Sequence, residues 1–165
     1  MEILWAPWRM EYILSDKPEG CVFCKCVTSS DCKQNFLLYS SQHCFVVLNR
    51  FPYNNGHLMV VPNRHVSEIE ELALEELLDL IQTIKLCVVV LKKALSPHGF
   101  NIGANLGKTA GAGIVDHLHF HIVPRWEGDT NYMPVIGNTK VMPEVLEKTY
   151  EKLLPFFKGK EEKLL

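Results

Sequence analysis

Apolar and polar residues alternate in patterns that divide the chain into five extended segments and two helices. Phe36 to Ser40 and Cys44 to Asn49 have strand composition, and the Pro, Asn-Asn and Gly of residues 51–56 supply turn chemistry. Gly56 to Pro62 then resumes as a strand, so residues 44–62 read as a hairpin with a long loop. Residues 66–95 carry the strongest helical signal. Leu74, Leu77, Leu78, Ile81, Ile84, Val88, Leu91 and Leu95 recur at three- and four-residue steps, with charged residues between them, and Ser96-Pro97-His98-Gly99 ends the run. Phe100 to Asn105 and Leu118 to Pro124 read as two further strands around a Gly/Ala loop, and Pro143 to Phe157 as a short C-terminal helix. The order β-β-β-α-β-β-α, with hairpins in place of repeated βαβ units, predicts an α+β fold on an antiparallel β-sheet with one long helix and a short C-terminal helix.

At 165 residues the chain suits a single domain, with residues 1–20 as an N-terminal arm rich in Trp, Pro and Arg and residues 126–165 as a C-terminal extension. Seventeen basic residues oppose nineteen acidic ones, so the net charge of −2 provides no strongly basic field for nucleic acid or an anionic membrane. The longest apolar run, Leu86 to Leu91, is too short to span a bilayer, and the first twenty residues lack the uninterrupted apolar stretch of a signal peptide. A cytoplasmic protein with reduced cysteines is expected. Four of its six cysteines, Cys21, Cys24, Cys26 and Cys32, crowd one short segment, which directs attention to metal or redox chemistry.

The most informative pattern is His117-Leu-His119-Phe-His121-Ile-Val. In a strand, positions i, i+2 and i+4 share a face, so three imidazoles line one side while Leu118, Phe120 and Ile122 bury the other. Two protonated imidazoles about 7 Å apart repel by about 2.4 kcal/mol at an effective dielectric near 20. The row therefore favours a mixture of proton donors, acceptors and metal ligands. Upstream, residues 105–113 supply Gly107, Gly111 and Gly113, where backbone N–H groups can approach an anion closely. Such a loop running into a histidine strand suggests a phosphate beside a histidine nucleophile. A trihistidine metal centre acting through bound water is the rival chemistry, and a non-catalytic nucleotide-binding protein is a third reading.

The signature at residues 117–123 resembles that of the histidine triad (HIT) superfamily of nucleotide hydrolases and transferases. The resemblance extends to GHLMVVPNRH (56–65), VVLNRFP (46–52) and the PRW segment at 124–126. The end segments LWAPWRMEYI and PRWEGDTNYMPV look most like the branch of diadenosine tetraphosphate phosphorylases and fragile-histidine-triad-like hydrolases. The resemblance implies a HIT-like fold and cleavage of dinucleoside polyphosphates or related nucleotides at the α-phosphate through a nucleotidyl-histidine intermediate. It implies a catalytic set of His119 as nucleophile, His121 and His57 orienting it and managing protons, and His117 fixed beside it. Asn49 matches a ribose-binding position, Asn105 and Gly113 match phosphate-side positions, and Trp126 an aromatic near the substrate. Ile114 stands where the smaller phosphoramidases carry Ser, so their leaving-group contacts do not transfer. Relatives that pair a C-x-x-C motif with two histidines point to a structural zinc site of Cys21, Cys24, His65 and His117, with a knuckle using Cys26 or Cys32 as the alternative. No organic cofactor is implied. The resemblance also implies a homodimer, for which the helix at 74–95 and the arm at Trp5 and Trp8 are candidate interface material.

Overall fold

A computed structural model of the chain describes residues 20–28, 32–129 and 142–158. Apart from Gly20, the expected N-terminal arm, including Trp5 and Trp8, lies outside the described residues, as do residues 130–141 and 159–165 of the expected C-terminal extension. In chain order the elements are α1 (Val22–Thr28), β1 (Leu37–Ser40), β2 (Cys44–Leu48), β3 (Leu58–Pro62), α2 (Leu74–Leu95), β4 (Gly99–Gly103), β5 (Phe120–Arg125) and α3 (Leu146–Phe157), with single 3-10 turns at Ile69–Glu71 and Lys108–Ala110. The strands form one antiparallel sheet in the order β1-β2-β3-β5-β4. This is the expected α+β arrangement.

The two faces of the sheet bury different sets of residues, as strand alternation requires. Val46, Leu48, Leu58, Val60, Leu118 and Ile122 pack under Leu80, Cys87 and Leu91 of α2 and Tyr150, Leu153 and Phe157 of α3. On the opposite face Phe45, Val47, Met59 and Val61 pack with Phe23 and Cys26 of α1. Residues of β2 and β3 are buried throughout, so the sheet is covered on both sides at its centre. Met59 pairs with His121 across β3 and β5, which puts that histidine on the α1 side.

Four features depart from the expected pattern. The long helix begins at Leu74, whereas the sequence pattern suggested a start near residue 66. Glu76 fixes the boundary: it accepts the Ala73 N–H at 2.8 Å and a two-pronged contact from Arg64, at 3.0 Å from Nε and 2.8 Å from Nη2. These interactions hold its carboxyl down at about 2, with the Arg64 hydrogen bonds the largest cause and the Ala73 amide the next. They also tie down the segment that carries His65. The buried face of α2 runs through Glu76, Leu80, Thr83, Ile84, Cys87, Val90 and Leu91, whereas Leu74, Leu78 and Ile81 are exposed. Apolar residues thus cover more of the helix than the core uses. The C-terminal helix starts at Leu146, three residues beyond Pro143, and α1 has no counterpart in the sequence reading. Seven residues are too few to hold a helix by propensity alone, and packing of Phe23 and Cys26 anchors α1 to the sheet.

Gly56 sets the entry to β3. Its φ is +75°, and an added Cβ would lie 2.5 Å from Leu95 Cδ1. A side chain there meets both backbone strain and the end of α2, so the glycine lets the chain turn tightly and deliver the next residue, His57.

Candidate active site and metal cluster

β5 begins at Phe120, so only His121 of the three sequential histidines lies within the ladder; His117 and His119 precede it in irregular backbone. The segment is nevertheless held against the core, because the Leu118 N–H donates to Val66 O at 2.7 Å. Leu118, Phe120 and Ile122 face the α2 side as expected. The imidazoles, however, divide into two groups.

One group contains His117. Its Nδ1 lies 3.3 Å from Cys21 Sγ, 3.7 Å from Cys24 Sγ and 3.2 Å from His65 Nδ1, and Cys24 Sγ lies 3.4 Å from His65 Nδ1. All four donor atoms fall within 4.8 Å of one another. Tetrahedral zinc with bonds of about 2.3 Å to sulfur and 2.0–2.1 Å to nitrogen has ligand–ligand edges of about 3.3–3.8 Å. The four contacts of 3.2–3.7 Å lie close to that range, and the four residues form a cluster able to hold a metal. The Nε2 of His117 lies 2.9 Å from Pro62 O, which requires its proton there and leaves Nδ1 as the ligand atom. Cys26 and Cys32 stay out of the cluster. Cys26 is buried with its thiol toward Asn35 O at 3.7 Å and is pushed up to about 11, mainly by burial; Cys32 is exposed.

The second group comprises His119, His121 and His57. His119 is buried, and its Nδ1 lies 2.9 Å from the His117 carbonyl oxygen, so Nδ1–H donates and Nε2 carries the lone pair. His121 packs edge-on against His119, with ring centroids 4.9 Å apart, and its Nδ1 lies 2.9 Å from His57 Nε2. Burial lowers the pKa of His119 and brings that of His121 to about 4, the neighbouring His119 adding to the latter shift. Both imidazoles are consequently neutral near pH 7. The Nδ1 of His119 is engaged by the His117 carbonyl and that of His121 by His57. Among the described residues the Cys21, Cys24, His65 and His117 cluster is the one metal-binding constellation.

Phe23 joins the two groups. It sits between the two clustered cysteines in sequence, and its ring centroid is 5.5 Å from that of His117 and 5.0 Å from that of His119. Tyr53 also belongs to the site, with its ring 4.8 Å from His57 and 5.8 Å from His121. The sequence reading missed both residues. Phe23 lay inside the C-x-x-C motif, where spacing drew attention to its neighbours, and Tyr53 lay within what read as turn chemistry. Asn49 is buried beside His57, with its Nδ2 3.3 Å from His57 Nδ1. The remaining sequence candidates lie on the loops that flank β4 and β5. Asn105 is half-buried beyond β4, Gly113 exposed in the loop leading to His117, and Trp126 half-buried directly after β5. No helix among the described residues is long and apolar enough to cross a membrane.

Known proteins are similar to this chain in sequence and in fold. The HIT domain family pattern matches residues 31–128. A protein of Mycobacterium tuberculosis named AP-4-A phosphorylase is 39% identical, the match covering 90% of this chain and 80% of that protein. The crystal structure of a hypothetical histidine triad nucleotide-binding protein from Sulfolobus tokodaii superposes with a TM-score of 0.66 at 28% identity, over 83% of this chain and 89% of that one. A zinc-bound histidine triad family protein from Mycobacterium smegmatis shares the fold with a TM-score of 0.68 at 24% identity, over 84% and 93% of the two chains. With its histidine row, its five-stranded sheet and these matches, the chain belongs to the HIT family of nucleotide hydrolases and transferases.

Proposed function

We propose that this protein cleaves dinucleoside polyphosphates, with diadenosine tetraphosphate as the favoured test substrate, through a nucleotidyl intermediate on His119. The observation that carries this reading is the fixed tautomer of His119: with Nδ1–H held by the His117 carbonyl, the Nε2 lone pair is available for phosphorus. Nε2 forms a bond to the α-phosphorus as the bond to the bridging oxygen breaks. The electron pair leaves with that oxygen, which departs as a phosphate anion while accepting a hydrogen bond from the His121 N–H, backed by His57. Water or inorganic phosphate then attacks the same phosphorus, the bond from phosphorus to Nε2 breaks with its electron pair returning to His119, and where water attacks its proton passes to solvent. Asn49 serves the ribose, Asn105 and Gly113 the phosphates, and Trp126 the base side of the substrate. The name of the mycobacterial relative supports this substrate class.

Cys21, Cys24, His65 and His117 would hold zinc, which supplies a structural cross-link between α1, the β3–α2 connection and the segment before β5. The fit of their spacings and the zinc-bound structural neighbour support this assignment. Exposed Leu74, Leu78 and Ile81 on α2 support a homodimer, which light scattering would report as twice the chain mass.

Incubation with diadenosine tetraphosphate, with and without inorganic phosphate, tests the activity. His119→Ala is expected to lower turnover by at least about 10³-fold, as loss of a covalent nucleophile does elsewhere. Mass spectrometry of base-quenched enzyme, in which the acid-labile bond from phosphorus to nitrogen survives, is expected to locate adenylate on His119. Undiminished turnover in the variant, or adenylate on another residue, overturns the proposal.

A further inference from the structure

The His57–His121 pair can exist in two proton arrangements. Either His57 donates through Nε2–H and His121 presents its own Nε2–H to the open site, or His121 donates through Nδ1–H and presents a bare nitrogen. Only the first presents an N–H that can donate a hydrogen bond to a departing oxygen. The 2.9 Å contact between the rings does not choose between them.

The choice is made on the far side of His57. The Tyr53 backbone N–H points at His57 Nδ1 from 3.1 Å, and a backbone amide can only donate. Asn49 Nδ2 lies 3.3 Å from the same nitrogen. The orientation of that side-chain amide is itself determined, because Asn49 Oδ1 accepts the Phe51 N–H at 2.9 Å and so leaves the NH₂ facing the ring. Two donors therefore converge on His57 Nδ1. A proton on that nitrogen would leave both without an acceptor inside a buried pocket, where each unmade hydrogen bond is costly.

We propose that Asn49 and the Tyr53 backbone amide are positioning groups that set the proton on His121: by occupying His57 Nδ1 they force Nε2–H on His57 and hence Nε2–H on His121. Asn49 thereby has a task independent of any ribose. The side chain of Tyr53 covers the pair from the exposed side, but the proton arrangement depends on its main chain. The catalytic use of the His121 proton rests on the function proposed above; the tautomers do not.

The test is ¹⁵N NMR of the ligand-free, full-length protein carrying ¹⁵N-histidine, with His57 and His121 assigned by loss of their signals in His57→Gln and His121→Gln. Both residues are expected to show one locked neutral form, protonated on Nε2, at neutral pH. Asn49→Asp keeps an oxygen for the Phe51 N–H but replaces the NH₂ donor with an acceptor. His57 Nδ1 is then expected to gain a proton, and the single-tautomer signature of His57 to disappear. Tyr53→Ala retains the main-chain donor and is expected to leave that signature in place. A proton on Nδ1 of His57 in the unaltered protein, or an unchanged His57 spectrum in Asn49→Asp, overturns the proposal. Absence of turnover on dinucleoside polyphosphates would defeat the proposed function and leave the tautomers read by NMR unaffected.

Discussion

The two ends of the histidine row use the same side chain in opposite ways. Around His117, donor atoms from three distant segments converge, with spacings of 3.2–3.7 Å that suit a shared cation. Around His119, the nitrogens make separate contacts: one with the His117 carbonyl, and those of His121 and His57 with each other. Convergence makes a ligand set, and separate pairwise contacts fix which nitrogen of a ring carries its proton. Two residues of sequence separate these roles. His117 belongs to both ends, since its ring faces the cysteines while its carbonyl orients the His119 ring.

The sharpest way to break this division is to remove one donor at the convergent end. Cys24→Ser is expected to weaken zinc binding by more than about 100-fold, exceeding what the loss of a supporting hydrogen bond to a ligand costs. Competition with a chromophoric chelator measures it. Zinc affinity equal to that of the unaltered protein would show that the four-residue cluster is not a metal site.

Phe23 tests whether the ends are mechanically joined. It is buried against both histidine rings and the α1-side core. Phe23→Ala is expected to cost about 3–5 kcal/mol of stability in denaturant unfolding, by lost burial and the cavity left behind. Phe23→Leu should cost less than half of that, and turnover should follow the same order. A Phe23→Ala variant with unaltered stability and turnover would mean the two ends stand independently.

The smallest effect distinguishes the proton-handling end by its titration. His121 is held at about 4, primarily by burial and secondarily by His119, against about 6.5 for an unperturbed histidine. Between those values the unfolded chain binds more protons than the folded protein. Stability therefore rises with pH across that window, is fully present above about 6.5, and is lost as pH falls toward about 4. His121→Gln is expected to flatten the slope by something under one proton, read from unfolding midpoints at a series of pH values. An identical slope in the variant would mean that His121 does not remain neutral in the fold.

Much of the architecture was legible because it rests on local periodicity. All five strands and both longer helices lie close to their expected positions, and the alternation of His with Leu, Phe and Ile assigned opposite faces before any contact was known. Boundaries were less legible where a tertiary contact decides them, as the grip of Arg64 on Glu76 does at the start of α2. The extended apolar stripe on α2 misled for a related reason: hydrophobicity marks surface that can be buried, and Leu74, Leu78 and Ile81 are not covered within the chain. α1 was invisible because its stability comes from Phe23 and Cys26 meeting the sheet, not from its seven residues. Of the candidate site, the four-residue cluster and the histidine pair do come together.

By itself, then, the sequence determined the α+β sheet and a face lined with histidines, since both follow from side-chain direction along a few consecutive residues. Which histidine meets the cysteines, which nitrogen of each ring keeps its proton, and that Asn49 and the Tyr53 amide bear on His57 were decided only in three dimensions. The cysteine–histidine contacts join residues 41 to 96 positions apart. Proton placement depends on whether the atom about 3 Å away is a donor or an acceptor, and no pattern of residue types along the chain encodes that.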